Sequence, residues 1–293
     1  YRDIRDRKNI VLETKAILAL GKLINKVKTV SNNADIVIGV PFYEEFDTVE
    51  DVCNTIIEGF KKHYPDKKCV LICLGNPDIA MNEEISRRIE KINSKNENVR
   101  LVTFISPVQG KGMALRFMME FSLALNAGAC AFIDADERKI TPEWPHLLLE
   151  PVLSGKYDFV SARYARHHHS ATITNHFAYP LMSALYGKLV RQPLGGEFAF
   201  SADLMGAYLD DPDVWVTDVG TYGTDNWLTS TAIINAAAMC EVDLGLKAHN
   251  FSYFDKRTIM FKQVTKALFS QIKQNISYWE EIDSTQPNEI VGP

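Results

Sequence analysis

"ACAFIDADERKI", residues 129–140, is the stretch on which the reading of the fold turns. A run of small and apolar residues, as expected of a strand buried on both faces, ends abruptly in Asp134, Asp136 and Glu137. Residues i and i+2 at a strand end point the same way, so the carboxylates of Asp134 and Asp136 converge. Their repulsion is relieved only by a cation or by hydrogen-bond donors between them. Oxygen ligands without a histidine cluster suit Mg2+ or Mn2+, which typically bridge protein carboxylates to substrate phosphates. A solvated polar turn accounts for an isolated D-x-D equally well, so position in the fold has to decide.

Upstream, apolar runs alternate with helical patterns. "DIVIGV" (35–40), "CVLICL" (69–74) and "VRLVTFI" (99–105) read as strands. They are separated by a helix beginning near Thr48 and a polar amphipathic helix over 82–94, and a long helix over 110–128 leads into "ACAFID" (129–134). Near-continuous apolar strands joined by helices predict an α/β fold: a Rossmann-like, mostly parallel sheet with helices on both faces. Ligands of such sheets bind beyond the carboxyl ends of the strands. The loop after Val40, the loop before Lys111 and the Asp134 turn all fall at that edge, which favours a site over a bare turn.

The second half is less regular. Strands are expected at 157–164, 197–201 and 239–246, and helices at 171–188, 223–238 and 258–280, with "STQPNEIVGP" as a frayed tail. Residues 4–29 carry an amphipathic stripe of Ile10, Ile17, Leu20, Ile24 and Val27, suited to packing on the body or to a subunit contact such as a homodimer. The expected organisation is an N-terminal helix (1–30), a single catalytic domain (31–280) and a flexible tail (281–293). Within that domain, residues 31–140 form a nucleotide-binding half and 141–280 an α/β acceptor half.

Hydrophobic residues make up 46% and charged residues 24% of the 293, with a net charge of −5. That balance gives no general reason to bind nucleic acid or an anionic membrane. Any anion site must be local. No apolar run approaches the length of a membrane span, and no signal-peptide pattern opens the chain. The five cysteines show neither zinc-knuckle nor redox spacing, and Cys69 and Cys73 read as core residues of one strand. These features together fit a cytoplasmic protein.

Several further stretches could carry chemistry. In "VQGKGMALR" (108–116) two glycines flank Lys111 at a helix start, where free N–H groups favour phosphate oxygens, or where a plain turn exposes a lysine. The spacing is neither a P-loop nor G-x-G-x-x-G. "VPFYEEFDTVED" (40–51) sets Pro41, Glu44 and Glu45 past the first strand, for a base or ribose or for capping the next helix. Gly195 and Gly196 in "QPLGGEFAFS" allow a backbone to lie against a sugar, or simply a tight turn. "TYGTDNW" places Asp225 and Asn226 at a helix start, as an N-cap or to bind sugar hydroxyls, and "LGLKAHNF" leaves His249 just after a strand, as a structural histidine or the missing ligand of an oxygen-rich metal site. "RHHHS" (166–170) reads as a mobile loop near the acceptor side.

Taken in order over residues 35–270, these stretches resemble the GT-A nucleotide-sugar glycosyltransferases. The closer resemblance is to the retaining enzymes that make glucosyl-3-phosphoglycerate and mannosylglycerate, compatible solutes. The resemblance implies that "PFYEE" is the donor loop, with Pro41 and Glu44 at the nucleoside end and Lys111 on the diphosphate. It implies that "DAD" holds a metal through Asp136, with Asp134 at the ribose or a metal-bound water. It further implies that "QPLGGEF" lines the donor sugar through Gly195 and Gly196, that Asp225 faces sugar or acceptor, and that His249 is the last metal ligand. Glu137 receives no role.

One stretch departs from the pattern. Where the phosphoglycerate-using enzymes carry G-G-R-V-T, this chain has "SATIT" (170–174), with Thr172 in place of the arginine. A hydroxyl replaces neither the charge nor the bidentate fork of a guanidinium. The expectation is a hexosyl transfer from a nucleoside-diphosphate sugar, with Mg2+ or Mn2+, to an unphosphorylated hydroxy acid such as glycerate, unless Arg163, Arg166 or the histidines supply the charge. The alternatives are an inverting family 2 type transferase acting on a lipid or polysaccharide, a nucleotidyltransferase, and a non-catalytic sugar-nucleotide binding module.

Overall fold

The strands predicted over the first half lie side by side in one sheet. The structure is a computed structural model that describes residues 20–75, 80–92, 97–167, 169–248 and 254–292. Its strands are β1 (Ile36–Phe42), β2 (Cys69–Gly75), β3 (Val99–Ile105), β4 (Ala129–Phe132), β5 (Phe159–Ala165), β6 (Lys188–Leu189), β7 (Phe198–Ser201), β8 (Met239–Leu246), β9 (Gln286–Pro287) and β10 (Glu289–Val291). Eight of them make one sheet in the order β10-β8-β5-β7-β4-β1-β2-β3. β1 pairs in parallel with β2 and β4, β2 with β3, β5 with β8, and β8 with β10. Only β7 runs antiparallel, between β4 and β5.

The helices are α1 (residues 20–30), α2 (Val49–His63), α3 (Ala80–Glu90), α4 (Lys111–Ala124), α5 (Trp144–Leu153), α6 (Tyr179–Tyr186), α7 (Ala202–Leu209), α8 (Thr224–Ile234), α9 (Phe254–Gln274) and α10 (Ile276–Trp279). β1 and β2 are apolar throughout because both their faces are covered. On one face Val37, Val70 and Ile72 join the α4 residues Phe117, Met118 and Phe121 in a single core. On the other, Ile36, Ile38 and Leu71 pack with Val52, Ile56 and Phe60 of α2 and Trp144 and Leu148 of α5.

α1 lays Val27 into the first of these cores, with Leu20, Leu23 and Ile24 half-buried beside it. The described part of the N-terminal stripe therefore packs on the body, and the rest of it lies outside the described residues. Within the expected 171–188, residues 172–186 are helical, with a π-helical turn over Thr174–Ala178 that leads into α6, while Lys188 already belongs to β6.

The C-terminal stretch corrects the sequence reading. Residues 281–293 were expected to form a flexible tail, yet β9 pairs with β6 and β10 becomes the edge strand beside β8. Glu289 Oε1 accepts a hydrogen bond from Lys156 Nζ at 2.9 Å. The strands are two and three residues long and pair with distant partners, so no local periodicity marks them.

All five cysteines are buried and unbridged, Cys69 and Cys73 within the core of β2 as expected. No helix among the described residues is long and apolar enough to cross a membrane.

Candidate active site

Because β1, β4, β5 and β8 point the same way, their carboxyl ends share one edge of the sheet. The antiparallel β7 begins at that edge, directly after Gly195, Gly196 and Glu197. α4 and α8 also start there, so topology brings Lys111, Asp134, Gly196, Glu197, Asp225 and Lys247 together from five segments.

Lys111 is the hub of one cluster. Its Nζ lies 2.9 Å from Asp134 Oδ1 and 3.4 Å from Asp225 Oδ2. Burial disfavours the ammonium, but Asp134 and Asp225 outweigh it and hold the Lys111 pKa above its usual value. Burial raises the Asp225 carboxyl, Lys111 opposes that shift, and Asp134 adds to it. Asp225 is the second residue of α8, not its cap, and its Oδ1 is buried without a hydrogen-bond partner.

The glycines around Lys111 serve a purpose the sequence did not suggest. A Cβ on Gly110, where φ is +124°, would lie 2.1 Å from the Gly220 carbonyl oxygen. One on Gly112 would lie 2.0 Å from that of Val219, and the Gly112 N–H donates to Thr221 O at 3.2 Å. Both glycines thus admit the 219–221 turn against the first turn of α4, which carries Asp225 to Lys111. Gly196 plays a similar part for Asp134: a Cβ there would stand 2.1 Å from Asp134 Oδ2.

A second cluster lies beneath the first. Lys247, just past β8, donates to Glu197 Oε2 at 2.6 Å and to Gly195 O at 2.9 Å, and its Nζ lies 2.6 Å from Glu137 Oε1. Tyr164 donates its hydroxyl to Glu197, whose Oε1 accepts the Asp134 N–H at 3.4 Å. Burial, reinforced by Glu197 and opposed by Lys247, pushes the Glu137 carboxyl up to about 8.

The two clusters set four carboxylates, those of Asp134, Glu137, Glu197 and Asp225, on two ammonium groups. Asp136 and Glu45 add to the excess. Burial raises the Glu45 carboxyl, the backbone N–H of Tyr43 lowers it, and the charge of Asp136 raises it again. An acidic, oxygen-rich edge of this kind fits a hard divalent cation. Among the described residues no three potential side-chain ligands are grouped, so an ion held by Asp136 would draw further ligands from a substrate's oxygens and water.

The expected residues fall as follows. Lys111, Asp134, Asp225 and Gly196 meet at the edge, and Gly195 is tied to it through Lys247. Pro41 and Glu44 sit at the end of β1, but Glu44 is exposed while Glu45 turns inward, its Oε2 accepting the N–H groups of Tyr43 and Glu44. Nothing in the local pattern distinguishes the inner of these two neighbouring acids. His249 lies outside the described residues, as does His168, while His167 and His169 are exposed with rings 5.4 Å apart.

Glu137, Glu197, Lys247 and Tyr164 were missed by the sequence analysis. Their one visible signal is position, since each lies at the end of a strand on the ligand-binding edge. On the acceptor side, Arg163 is paired with Asp243 at 3.5 Å. Arg166 stacks its guanidinium 4.9 Å above the Tyr164 ring, with its Nε buried and unpartnered.

No family model matches the chain, and no curated protein does so. Solved structures do. The chain is similar to glucosyl-3-phosphoglycerate synthase from Mycobacterium tuberculosis, with 26% identity, 85% of this chain and 84% of that one covered, and a TM-score of 0.61. The same enzyme bound to Mn2+, UDP and glucosyl-3-phosphoglycerate gives 25% identity, coverage of 85% and 83%, and a TM-score of 0.63. Its complex with Mg2+ and UDP gives 25%, 85%, 83% and 0.62. These likenesses bear out the sequence reading of a GT-A glycosyltransferase fold.

Proposed function

We propose that the chain is a metal-dependent hexosyltransferase that moves a sugar, with retention, from a nucleoside diphosphate to the hydroxyl of a small hydroxy acid of the glycerate type. The observation that carries this reading is the Lys111 ammonium held between Asp134 and Asp225 beside the Gly195–Gly196 turn. Residues 31–140 form the nucleotide-binding half in this reading, and residues 141–280 the acceptor half.

As the glycosidic bond breaks, negative charge gathers on the leaving diphosphate. A cation fixed near that charge stabilises the transition state more than the ground state. Lys111 is such a cation, pre-aimed by its two carboxylates. A divalent ion held by Asp136, with His249 as the further protein ligand, would supply additional charge compensation when bound. Pro41 and Glu44 would flank the nucleoside, with Glu45 fixing the shape of that loop. Gly195 and Gly196 let the backbone approach the hexose, and the unpartnered Asp225 Oδ1 can accept a bond from a sugar hydroxyl. For retention, the departing phosphate oxygen takes the acceptor's proton on the face it leaves.

The similar mycobacterial enzyme is also seen with Mn2+, UDP and phosphoglyceric acid, which supports an acidic three-carbon acceptor. The 170–174 stretch argues against a phosphate on it, because Thr172 offers no charge. Arg166 suits a single carboxylate, since its guanidinium is already oriented by Tyr164. The test is kcat/KM for glycerate against 3-phosphoglycerate, with a UDP-, GDP- or ADP-sugar and Mg2+ or Mn2+. Glycerate is the better acceptor if the reading is right, and a large preference for 3-phosphoglycerate overturns the unphosphorylated assignment.

A further inference from the structure

Lys247 is almost wholly enclosed, its side chain 3% exposed, between two carboxylates that are 0% exposed. It joins two segments far apart in sequence. Glu137 ends the turn that carries Asp134 and Asp136, while Gly195 O and Glu197 belong to the turn before β7. The backbone adds ties at the same place: Lys247 N donates to Ala165 O at 3.1 Å, and Arg138 N donates to Ala248 O at 2.9 Å. On its far side the 134–137 turn is held by Thr48, whose Oγ1 donates to Ala135 O at 2.7 Å. The Tyr164 ring closes the arrangement, 4.7 Å from Lys247 Nζ.

A buried ammonium between two buried carboxyl groups is a poor source of stability, because desolvation offsets most of the Coulomb attraction. Well-packed apolar side chains would hold the same space at less cost. The charged arrangement supplies direction instead, because a donor with three fixed acceptors holds their spacing within the narrow tolerance that a reacting site needs.

We propose that Lys247 is a positioning residue for the donor sugar-nucleotide, tying the Asp134–Asp136 turn to the Gly195–Gly196 turn and so setting the width of the slot between them. The inference rests on the transferase reading for its ligand, but the tie itself exists without any ligand. Lys247 reaches no reacting atom in this account. It acts through Gly195, Glu197 and, by way of the Asp134 N–H, through Asp134.

The test compares wild type with Lys247→Met, Lys247→Arg and the triple variant Lys247→Met/Glu137→Gln/Glu197→Gln. The triple variant removes the buried charge along with the tie and keeps the experiment interpretable if the single variant does not fold. Hydrogen exchange without nucleotide reads the tie directly. Amides over 133–138 and 193–198 are expected to exchange about tenfold faster in the triple variant, while those of β1, β2 and β3 keep their wild-type rates. With UDP and Mn2+ as the binding probe, Kd and the donor KM are expected to rise about tenfold, with partial recovery in Lys247→Arg. Unchanged exchange at both turns, or a uniform increase that includes β1–β3, overturns the positioning role. So does an unchanged donor KM accompanied only by a lower Tm. If wild type binds no nucleoside diphosphate, the transferase reading falls, and the exchange data still decide the tie.

Discussion

Asp134 occupies the space that a side chain on Gly196 would need: Oδ2 lies 2.1 Å from the position of a Cβ there, and the Gly196 φ of +88° is itself disfavoured for other residues. Gly196→Ala therefore has two effects. It introduces backbone strain of about 1–3 kcal/mol, and it drives Asp134 away from Lys111. The expected outcome is a modest drop in Tm together with a fall in kcat/KM of about 100-fold, measured on the same preparation. A loss of Tm without the loss of activity would separate Asp134 from the chemistry.

Lys111→Met keeps most of the length of the side chain and removes its charge. If the ammonium stabilises the leaving diphosphate, kcat falls by about 100- to 1000-fold. Lys111→Arg should restore part of that loss, because the guanidinium keeps the charge but not the 2.9 Å contact with Asp134. Steady-state kinetics of the two variants at saturating donor is the check.

Asp136 is the aspartate whose charge is felt at Glu45, while Asp134 is engaged by Lys111. EDTA should abolish turnover in wild type, and added Mg2+ or Mn2+ should restore it. Asp136→Asn should stay inactive with either ion while retaining the wild-type circular dichroism spectrum. Full activity in EDTA removes the metal from the mechanism.

Glu241 offers a pH test away from the site. It is 4% exposed on β8, and its Oε1 accepts the Arg191 N–H at 2.7 Å. Burial, opposed by that hydrogen bond, pushes its pKa from the ordinary 4.5 up to about 7. Between those values the folded chain keeps a proton that the unfolded chain has released. Its contribution is therefore greatest below pH 4.5 and declines as pH rises, fully lost above 7. Glu241→Gln should flatten this part of the profile, with a gain of up to about 3 kcal/mol relative to wild type at pH 8 compared with pH 4. Denaturant unfolding at the two pH values measures the difference.

Much of the architecture was legible because its signals are local. β1, β2 and β3 are apolar runs bounded by turns, and β8 lies where "MCEVDLGL" placed it. Lys111, Asp134 and Asp225 could be nominated because each stands where an apolar element meets the ligand-binding edge. Buried charges were not legible in the same way. Lys247, Glu137 and Glu197 look like surface residues in sequence, and only the meeting of β4, β5, β7 and β8 shows that they neutralise one another. The glycines beside Lys111 were read toward a phosphate, whereas their immediate neighbours are the carbonyls of Val219 and Gly220. That contact joins residues about a hundred positions apart, which no local pattern encodes. β9 and β10 were missed for the same reason, since their pairing partners define them.

Hexosyl transfer to glycerate is read by 31P and 1H NMR of the protein incubated with a nucleoside-diphosphate sugar, Mg2+ and glycerate. The expected result is release of nucleoside diphosphate that depends on both metal and acceptor, with a new anomeric signal of the donor's configuration. Release of pyrophosphate, a product of inverted configuration, or an intact donor across UDP-, GDP- and ADP-sugars would contradict it.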